Sequence, residues 1–461
     1  MAGGTWTIQN KVLPGVYINF FSKAATLVTM GERGVVCLSK LLDWGPVEEV
    51  IEITDPAECF DKLGYDQTSS KLRWLQQMLL GTNRTSGASK VYIWGLKATD
   101  AAKATGTETD DGNTLAATAK YFGVRGNDLS IVVSADPDND SSHVKFYVQT
   151  LLKGEVVDSQ TLEANAATVA LSGLVDNDWV SFTTKTGNAF ATAGIPLTGG
   201  TNGTTIASTA YTDFMNAAEL LTFNVIICQS SDPTLKQSFS NFVKRLTNDE
   251  GKKCQLVVSD YVSADSECVI SVYPQTITPL AGSALTTEEV LCWVAGATAG
   301  ANVNEALTYT SYPDAISVNP ILTTSQQTAA LQAGQFVFVQ QFEKVQVLQD
   351  INTFTGFTVT KGKQFRKNRV IRVLFDFANS IYKTYSLYYI GQTDNNEVGR
   401  DFLKAEIISL LNQYEGMGAM QNVNADDVTV LPGEESDAVV IECMIQPVDA
   451  IEKIYMNVTI S

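Results

Sequence analysis

The sequence predicts a multidomain protein of the α/β and β classes: an α/β sheet core domain with an inserted β-rich domain, an α+β C-terminal domain and extended terminal strand arms. Three observations predict this arrangement. Apolar strands alternate with amphipathic helices before residue 97 and again after residue 204. Between those positions the composition shifts to Thr, Gly, Asn, Asp and Ser with short alternating runs. Both chain ends alternate apolar with other residues, a pattern typical of strands with one apolar face.

The composition indicates a globular protein and excludes some partners. The 461 residues are 44% hydrophobic and only 18% charged, and the net charge is −18. A field of this sign repels polyanions, so we expect no nucleic-acid partner and no binding to an anionic membrane. The start of the chain lacks a signal-peptide pattern, and the apolar stretch 290–301 is well short of the ~20 residues needed to span a bilayer. We therefore expect a soluble protein without direct membrane insertion that folds in a cytoplasm.

The residues that carry most enzymatic and metal chemistry are scarce. His143 is the single histidine, whereas catalytic triads and most zinc or iron sites need histidines at defined places. Seven cysteines are widely spaced without a C-x-x-C pair, which favours reduced, buried thiols. The Gly-rich loop 197–204 lacks the lysine of a phosphate-binding loop, and the acidic turn 136–140 lacks the Gly and Glu of a calcium loop. We predict no catalytic residue, cofactor or metal, and no enzymatic activity.

The first half of the core domain is predicted from strand and helix signals. Residues 35–38 and 50–53 are apolar strand-type runs, and Asp55-Pro56 then supplies a helix N-cap followed by a first-turn proline. Residues 70–80 carry leucines and a methionine at three- and four-residue spacing, which predicts a helix. Residues 91–94 form the next apolar strand.

The same alternation returns in the second half. Residues 223–228 predict a buried strand, Asp232-Pro233 opens a helix, and residues 254–258 predict another strand. This βαβ unit implies parallel pairing, and strands apolar at nearly every position imply helices on both faces of the sheet. The helix predicted around residues 293–302 is rich in small residues, which let another backbone approach closely.

The other two domains are predicted from shorter signals. Residues 129–133, 144–148 and 179–182 are strand-type runs within the inserted domain. Beyond residue 351 we predict a third unit, in which residues 368–374 lead into an aromatic-rich helix and a later helix spans 400–414.

Apolar residues at alternate positions define a candidate strand at each end of the chain. Such a strand must pair, within its own subunit or with a neighbour, because its backbone groups and apolar side chains otherwise face water. The residues are Val12, Val16, Ile18, Phe20, Ile454, Met456, Val458 and Ile460.

Six basic residues between positions 361 and 372 are interrupted by no acidic residue. One interpretation is a solvated strand face in which Arg369 and Arg372 make local ion pairs. The other is a docking patch for an acidic protein surface. The run comprises Lys361, Lys363, Arg366, Lys367, Arg369 and Arg372.

Six segments in sequence order resemble the sheath subunits of contractile-tailed phages of Gram-positive hosts and of their phage-tail-like bacteriocin relatives. The resemblance spans nearly the whole chain, and it rests on the six together because no single one is specific. They are Pro14-Gly-Val-Tyr17, Gly126-Asn-Asp-Leu-Ser130, Leu197-Thr-Gly-Gly-Thr-Asn-Gly203, Trp293-Val-Ala-Gly-Ala-Thr-Ala-Gly-Ala301, Asp350-Ile-Asn-Thr353 and Lys367-Asn-Arg-Val-Ile-Arg372.

The resemblance gives each predicted domain an expected place. The core comprises residues 23–97 and 204–350, with the inserted domain, 98–203, facing outward. The C-terminal domain, 351–446, faces inward toward a tail tube. The terminal arms, 1–22 and 447–461, cross to neighbouring subunits and complete a small sheet on their C-terminal domains.

The resemblance further implies a function: stacked sixfold rings surround the tube, and their contraction drives the tube through a target cell envelope. The implied partners are other copies of the chain, the tail tube protein, the baseplate and the tail terminator. The implied location is a virion tail or a phage-tail-like particle assembled in the bacterial cytoplasm. The alternative is a secreted or surface binding module that uses the inserted β domain. Residues expected to face the tube are Lys361, Lys363, Arg366, Lys367, Arg369, Arg400 and Lys404.

Overall fold

The computed structural model describes residues 2–4, 15–17 and 33–460. Ala2–Gly4 and Gly15–Tyr17 pair as short parallel strands. The chain divides into two compact units, which we call the larger unit (Glu32–Asp376 with Asp449–Ser461) and the smaller unit (Met1–Gly31 with Phe377–Val448).

A sheet of seven strands is the centre of the larger unit. Six neighbouring strands are parallel, and the last strand pairs antiparallel at one edge. The predicted strands and their parallel pairing are confirmed. In spatial order the strands are Gln335–Phe336, Val269–Val272, Gln255–Ser259, Val225–Cys228, Val35–Leu41, Lys90–Leu96 and Val50–Ile53.

Helices cover both faces of this sheet, which explains its uniformly apolar strands. Arg73–Leu80 and Thr287–Gly300 pack on one face, and Ser208–Glu219 and Pro233–Asn248 pack on the other. The small residues act as predicted: a Cβ on Gly296 would lie 2.0 Å from the backbone oxygen of Met78.

The predicted helix signals are also confirmed. The Asp232 carboxylate accepts a hydrogen bond from the backbone N–H of Thr234 (2.9 Å) and thereby caps its helix. Asp55 caps a 3₁₀ turn, Pro56–Glu58, that leads into the helix Cys59–Leu63. The predicted helix 70–80 is a 3₁₀ turn, Ser70–Leu72, continued by Arg73–Leu80.

Two antiparallel sheets with a shared apolar core form the inserted region. Trp44, from the chain before it, is buried in that core and stacks on Trp179 with ring centroids 5.2 Å apart. Segments entering and leaving the region pair with one another at Ala98 and Ile206. The sheets are Glu155–Ala164, Val144–Leu152, Leu129–Ala135 and Ile195–Pro196, and Val180–Thr186, Asn113–Ala119 and Thr105–Asp110.

Two further antiparallel strand pairs and a short helix also belong to the larger unit. They are Thr276–Pro279 with Ala315–Asn319, Phe338–Gln341 with Lys344–Val347, and the helix Thr324–Gln332.

The interpretation of the basic run as a strand face is wrong from residue 368 onward. Asn368 begins the long helix Asn368–Tyr388, which starts in the larger unit and ends in the smaller one. Val370, Ile371 and Val373 are buried, and Leu374 follows, so the apolar residues recur at helical rather than alternating spacing.

The described core of the smaller unit is built on the helix Glu397–Gly416, which contains the predicted helix 400–414. Its Leu403, Ile407 and Leu410 are buried, and the ring of Phe377 lies edge-on to Tyr414. An antiparallel pair, Val428–Pro432 with Val439–Cys443, follows; we call it the terminal hairpin. In the part of the chain described, no helix is long and apolar enough to cross a membrane.

Candidate assembly surfaces

Residues 453–460, which we call the C-terminal segment, form neither helix nor strand. Ile454, Met456, Val458 and Ile460 are 83%, 78%, 75% and 92% exposed. Four large apolar side chains within eight residues are therefore exposed to water. Single exposed apolar residues are common on protein surfaces, whereas a row of them is unusual. The strand pairing expected for these residues stays a prediction.

Glu452 fixes the start of the C-terminal segment to the larger unit. Its carboxylate accepts hydrogen bonds from Thr308 Oγ1 (2.9 Å), from Gln349 Nε2 and from Lys367 Nζ. The Glu452 side chain is only 11% exposed. Burial acts to raise its pKa, but the hydrogen bonds and the Lys367 charge outweigh burial and lower the pKa below the ordinary value of 4.5. The carboxylate therefore stays ionised and holds a fixed root for an exposed segment.

Among the described residues, both edges of the terminal hairpin are unpaired. It has two strands, and no third strand among the described residues pairs with it. Leu431, Val439, Val440 and Met444 are exposed. A lone hairpin is marginal in water and its free edge can template another strand. This hairpin was not predicted from the sequence, although two β-branched runs around Gly433 and acidic residues are a usable signal.

Local ion pairs account for half of the basic run. Lys361 pairs with Glu267, and Lys367 pairs with Glu452. Arg372 lies 3.4 Å from Asp350 in a pair of which each side chain is 1% exposed. The ion pair expected for Arg372 is confirmed, although on a helix rather than on a strand.

The other basic residues of the run have no such partners. Lys363 is exposed and makes no ion pair with a described residue. Two nitrogens of Arg366 and the Nε of Arg369 are buried without hydrogen-bond partners. Burial lowers the pKa of both arginines.

Arg400 and Lys404 lie in the smaller unit on the helix Glu397–Gly416. Arg400 Nη1 donates to Asn395 Oδ1 at 3.0 Å. Their surroundings are acidic in sequence, because residues 377–448 contain three basic and eleven acidic residues, a net charge of −8.

The N-terminal candidates lie mostly outside the described residues. Val12, Ile18 and Phe20 lie outside the described residues. Val16 falls in the strand Gly15–Tyr17, whose described partner is Ala2–Gly4.

Charged groups pair with one another at the carboxyl edge of the central sheet, where open α/β sheets commonly bind ligands. A cavity of about 320 Å³ there is lined by Lys40, Lys71 and Arg73, among others. Lys40 lies 3.0 Å from Glu288, and Arg73 lies 3.7 Å from Glu289. The described residues include no group of three or more His, Cys, Asp or Glu able to hold a metal ion.

The buried thiols have raised pKa values. Burial raises the pKa of Cys292 to about 12 and that of Cys228 to about 11. Thiols of this kind are protonated at neutral pH and are poor nucleophiles.

Models of four sheath domains match the chain. The phage tail sheath protein central domain matches residues 204–353, and the phage tail sheath C-terminal domain matches 360–461. The phage tail sheath protein β-sandwich domain matches 99–202, and the N-terminal region of tail sheath protein Gp18 domain III matches 33–93.

Individual proteins agree with these matches. Phage-like element PBSX protein XkdK of Bacillus subtilis (strain 168) is 30% identical, with both chains covered completely. The sheath tail protein from Desulfitobacterium hafniense, known from a crystal structure, is 41% identical in sequence. The two structures superpose with a TM-score of 0.81 over 96% of this chain and 99% of that chain. The contracted helical sheath of the anti-feeding prophage shares the fold at 15% identity and a TM-score of 0.54, over 97% and 99% of the two chains.

Proposed function

Because the chain belongs to the phage tail sheath protein family, we propose that it is the structural subunit of a contractile tail sheath. In this proposal copies assemble as stacked sixfold rings around a tail tube, inside a virion tail or a phage-tail-like particle that is built in the host cytoplasm. Baseplate and tail terminator bound the stack at its two ends. Sheath proteins are structural proteins, so no enzymatic step is involved.

The observation that carries the proposal is the exposed C-terminal segment held by Glu452. The subunit fixes the root of the segment and leaves the apolar side chains of the segment exposed. The segment is therefore available to pair with another copy. The natural acceptor is the terminal hairpin of that copy, whose free edges offer backbone hydrogen bonds and whose exposed valines offer apolar contacts.

An estimate of the binding free energy indicates that one C-terminal segment alone binds a neighbouring copy weakly. Four buried apolar side chains contribute roughly 6–12 kcal/mol gross, and ordering eight residues costs about 1–2 kcal/mol each. The two terms are similar, so the net gain per arm is small. Stable association therefore needs many arms engaged together, and a free subunit stays monomeric until a ring is templated.

Contraction in this account exchanges one packing of rigid subunits for another while the arms keep neighbours linked. The extended sheath is a kinetically trapped state and needs no nucleotide. The contracted helical sheath of the anti-feeding prophage has the same fold, which agrees with a contracted arrangement being open to a subunit of this fold.

For the tube contact, Lys363 and Arg366 are the best-supported residues of the basic run. Lys361 and Lys367 are engaged in local ion pairs, whereas Lys363 is exposed and Arg366 has unpartnered nitrogens. Lys363→Glu is expected to weaken binding to purified tube protein at low salt, with Lys344→Glu, another exposed lysine, as the matched control. Equal affinities of both variants and the wild type would remove Lys363 from the interface.

The test of assembly is a chain that ends after Glu452. We expect the truncated protein to remain a folded monomer, with the circular dichroism and unfolding transition of the full chain. The full chain at high concentration, alone or with tube protein, should form rings or hollow tubes in negative stain, and the truncated chain should not. Tubes of normal yield from the truncated protein would contradict the arm role.

A further inference from the structure

A cavity of about 450 Å³ lies at the root of the C-terminal segment, within the larger unit. We call it the arginine pocket, because two arginines from distant parts of the sequence contribute to its wall. Its lining includes Arg84, Asn304, Glu305, Tyr309, Arg369 and Ile451.

The two guanidinium groups of this pocket have no direct hydrogen-bonding partner among the described residues. Neither Arg84 nor Arg369 makes a side-chain ion pair or hydrogen bond with a described residue, and the Nε of Arg369 is buried. Burial and the nearby Arg372 lower the pKa of Arg369, and the charge of Asp449 opposes them. The Glu305 carboxylate also lines the pocket; its Oε2 accepts a hydrogen bond from the backbone N–H of Asn302 at 2.7 Å, and it makes no ion pair with either arginine. Arg84 is exposed and Arg369 is half-buried, so a carboxylate that completes the hydrogen bonds of Arg369 would stabilise it more than one placed on Arg84.

Carboxylates without partners occur at the tip of the terminal hairpin, in the smaller unit. Glu434, Glu435 and Asp437 are exposed in the loop between its strands and make no ion pair with a described residue. The hairpin tip therefore combines acidic groups with the exposed Val439 and Val440, and the arginine pocket combines basic groups with the exposed Ile451 and Tyr309. The two surfaces are complementary in charge and in apolar character.

We propose that the hairpin tip of a second copy docks in the arginine pocket, with its carboxylates on Arg84 and Arg369. The proposal rests on the proposed function, since it places this contact beside an exchanged arm. Fully extended, the eight residues of the C-terminal segment reach about 26 Å, and a five-residue hairpin strand spans about 17 Å. The segment can therefore follow the whole hairpin edge from its root beside the pocket.

The contact also fixes the direction of the exchanged strand. Ile451 lines the pocket and lies just before the C-terminal segment, so the segment begins beside the pocket. The end of the second copy's hairpin that pairs with the first residues of the segment must therefore also lie beside the pocket. The tip carries the unpaired carboxylates, so the arm starts at the tip. It then runs parallel to Val439–Cys443 and antiparallel to Val428–Pro432.

Disulfide formation between copies tests this placement. A Cys443→Ser parent avoids the one cysteine that is not fully buried. In that parent, Arg84→Cys with Glu435→Cys should give covalently linked chains in assembled tubes under mild oxidation and none in dilute subunits. Lys344→Cys with Glu435→Cys is the matched control and should give none. Tubes that form without the Arg84–Glu435 link would overturn the proposal and leave the proposed function standing; a parent that forms no tubes would count against the proposed function itself.

Charge exchange gives an independent readout that does not depend on oxidation. Arg369→Glu should raise the concentration at which half of the protein pellets as tubes by about fivefold or more, since a close attractive pair becomes repulsive. Adding Glu434→Lys and Glu435→Lys should restore most of the loss. Lys344→Glu should change the concentration by less than about twofold. An Arg369→Glu variant that assembles like the wild type, or a reversed variant without rescue, would also overturn the proposal.

Discussion

Replacing two apolar residues of the C-terminal segment, Met456→Asp with Val458→Asp, should abolish assembly and leave the subunit folded. Met456 and Val458 are 78% and 75% exposed, so they contribute little to the isolated fold. We expect the free energy of unfolding to change by less than about 0.5 kcal/mol, as for surface substitutions in general.

These two side chains should instead contribute to the stability of the assembled state. Burying each against a neighbouring copy is worth roughly 1.5–3 kcal/mol, so losing both weakens each arm by about 3 kcal/mol or more. This corresponds to a factor of at least about 100 in the association constant per arm. The effect multiplies across a lattice in which every subunit lends an arm.

Sedimentation and negative stain measure the effect over a range of protein concentrations. The matched control is Tyr455→Asp with Thr459→Asp, which adds the same charge on the alternate positions of the same segment. The control should retain most of its assembly, because a strand presents successive side chains to opposite faces. Equal loss from both double variants would refute the idea of one apolar face, and normal tubes from the Met456 and Val458 variant would refute the arm account.

Three further predictions concern the rigid parts of the subunit. Asp350→Ala should lower the free energy of unfolding in urea by about 3–5 kcal/mol, because the buried Arg372 loses its counter-charge and Leu307 N–H and Asn368 Nδ2 lose their hydrogen-bond acceptor. A loss below about 1 kcal/mol would show that the ion pair is dispensable. Trp44→Ala should destabilise by about 3–5 kcal/mol, while an exposed aromatic, Phe342→Ala, should change stability little; a small effect of Trp44→Ala would mean that Trp44 does not fasten the inserted region. Because the pKa of Glu452 is lowered in the folded chain, its anchor is fully present above the ordinary value of 4.5 and is lost as pH falls through the lowered pKa. The protection of residues 449–452 against hydrogen exchange, taken relative to the intrinsic exchange rate at each pH, should therefore fall on acidification in the wild type, and Glu452→Gln should show low protection at all pH values.

The core of the larger unit was predictable because its signals are local. Asp232-Pro233 fixes a helix start, Gly64 in the left-handed region (φ 71°) ends another helix, and continuous apolar runs announce covered parallel strands. Each of these acts within a few residues, so it can be identified without knowing the fold.

The misassigned segment shows where local signals compete. Residues 368–374 are β-branched and basic, which favours a strand, yet their apolar residues lie on one side of a helix. Tertiary packing of that side outweighs the weak strand preference. The basic residues were equally ambiguous, because the acidic partners Asp350, Glu267 and Glu452 are distant in sequence.

The assembly surfaces depend on even longer-range information. The contact of Glu452 with Thr308 joins residues 144 positions apart, and the arginine pocket brings Arg84 beside Arg369. No spacing rule links such residues. The alternation of the C-terminal segment could be identified from the sequence, but its fixed root could not.

Electron cryomicroscopy of tubes assembled from the wild-type protein would show where each C-terminal segment lies. We expect residues 453–460 of each copy to form a strand on the terminal hairpin of a different copy. A density in which every C-terminal segment folds back onto the hairpin or body of its own subunit would contradict the account.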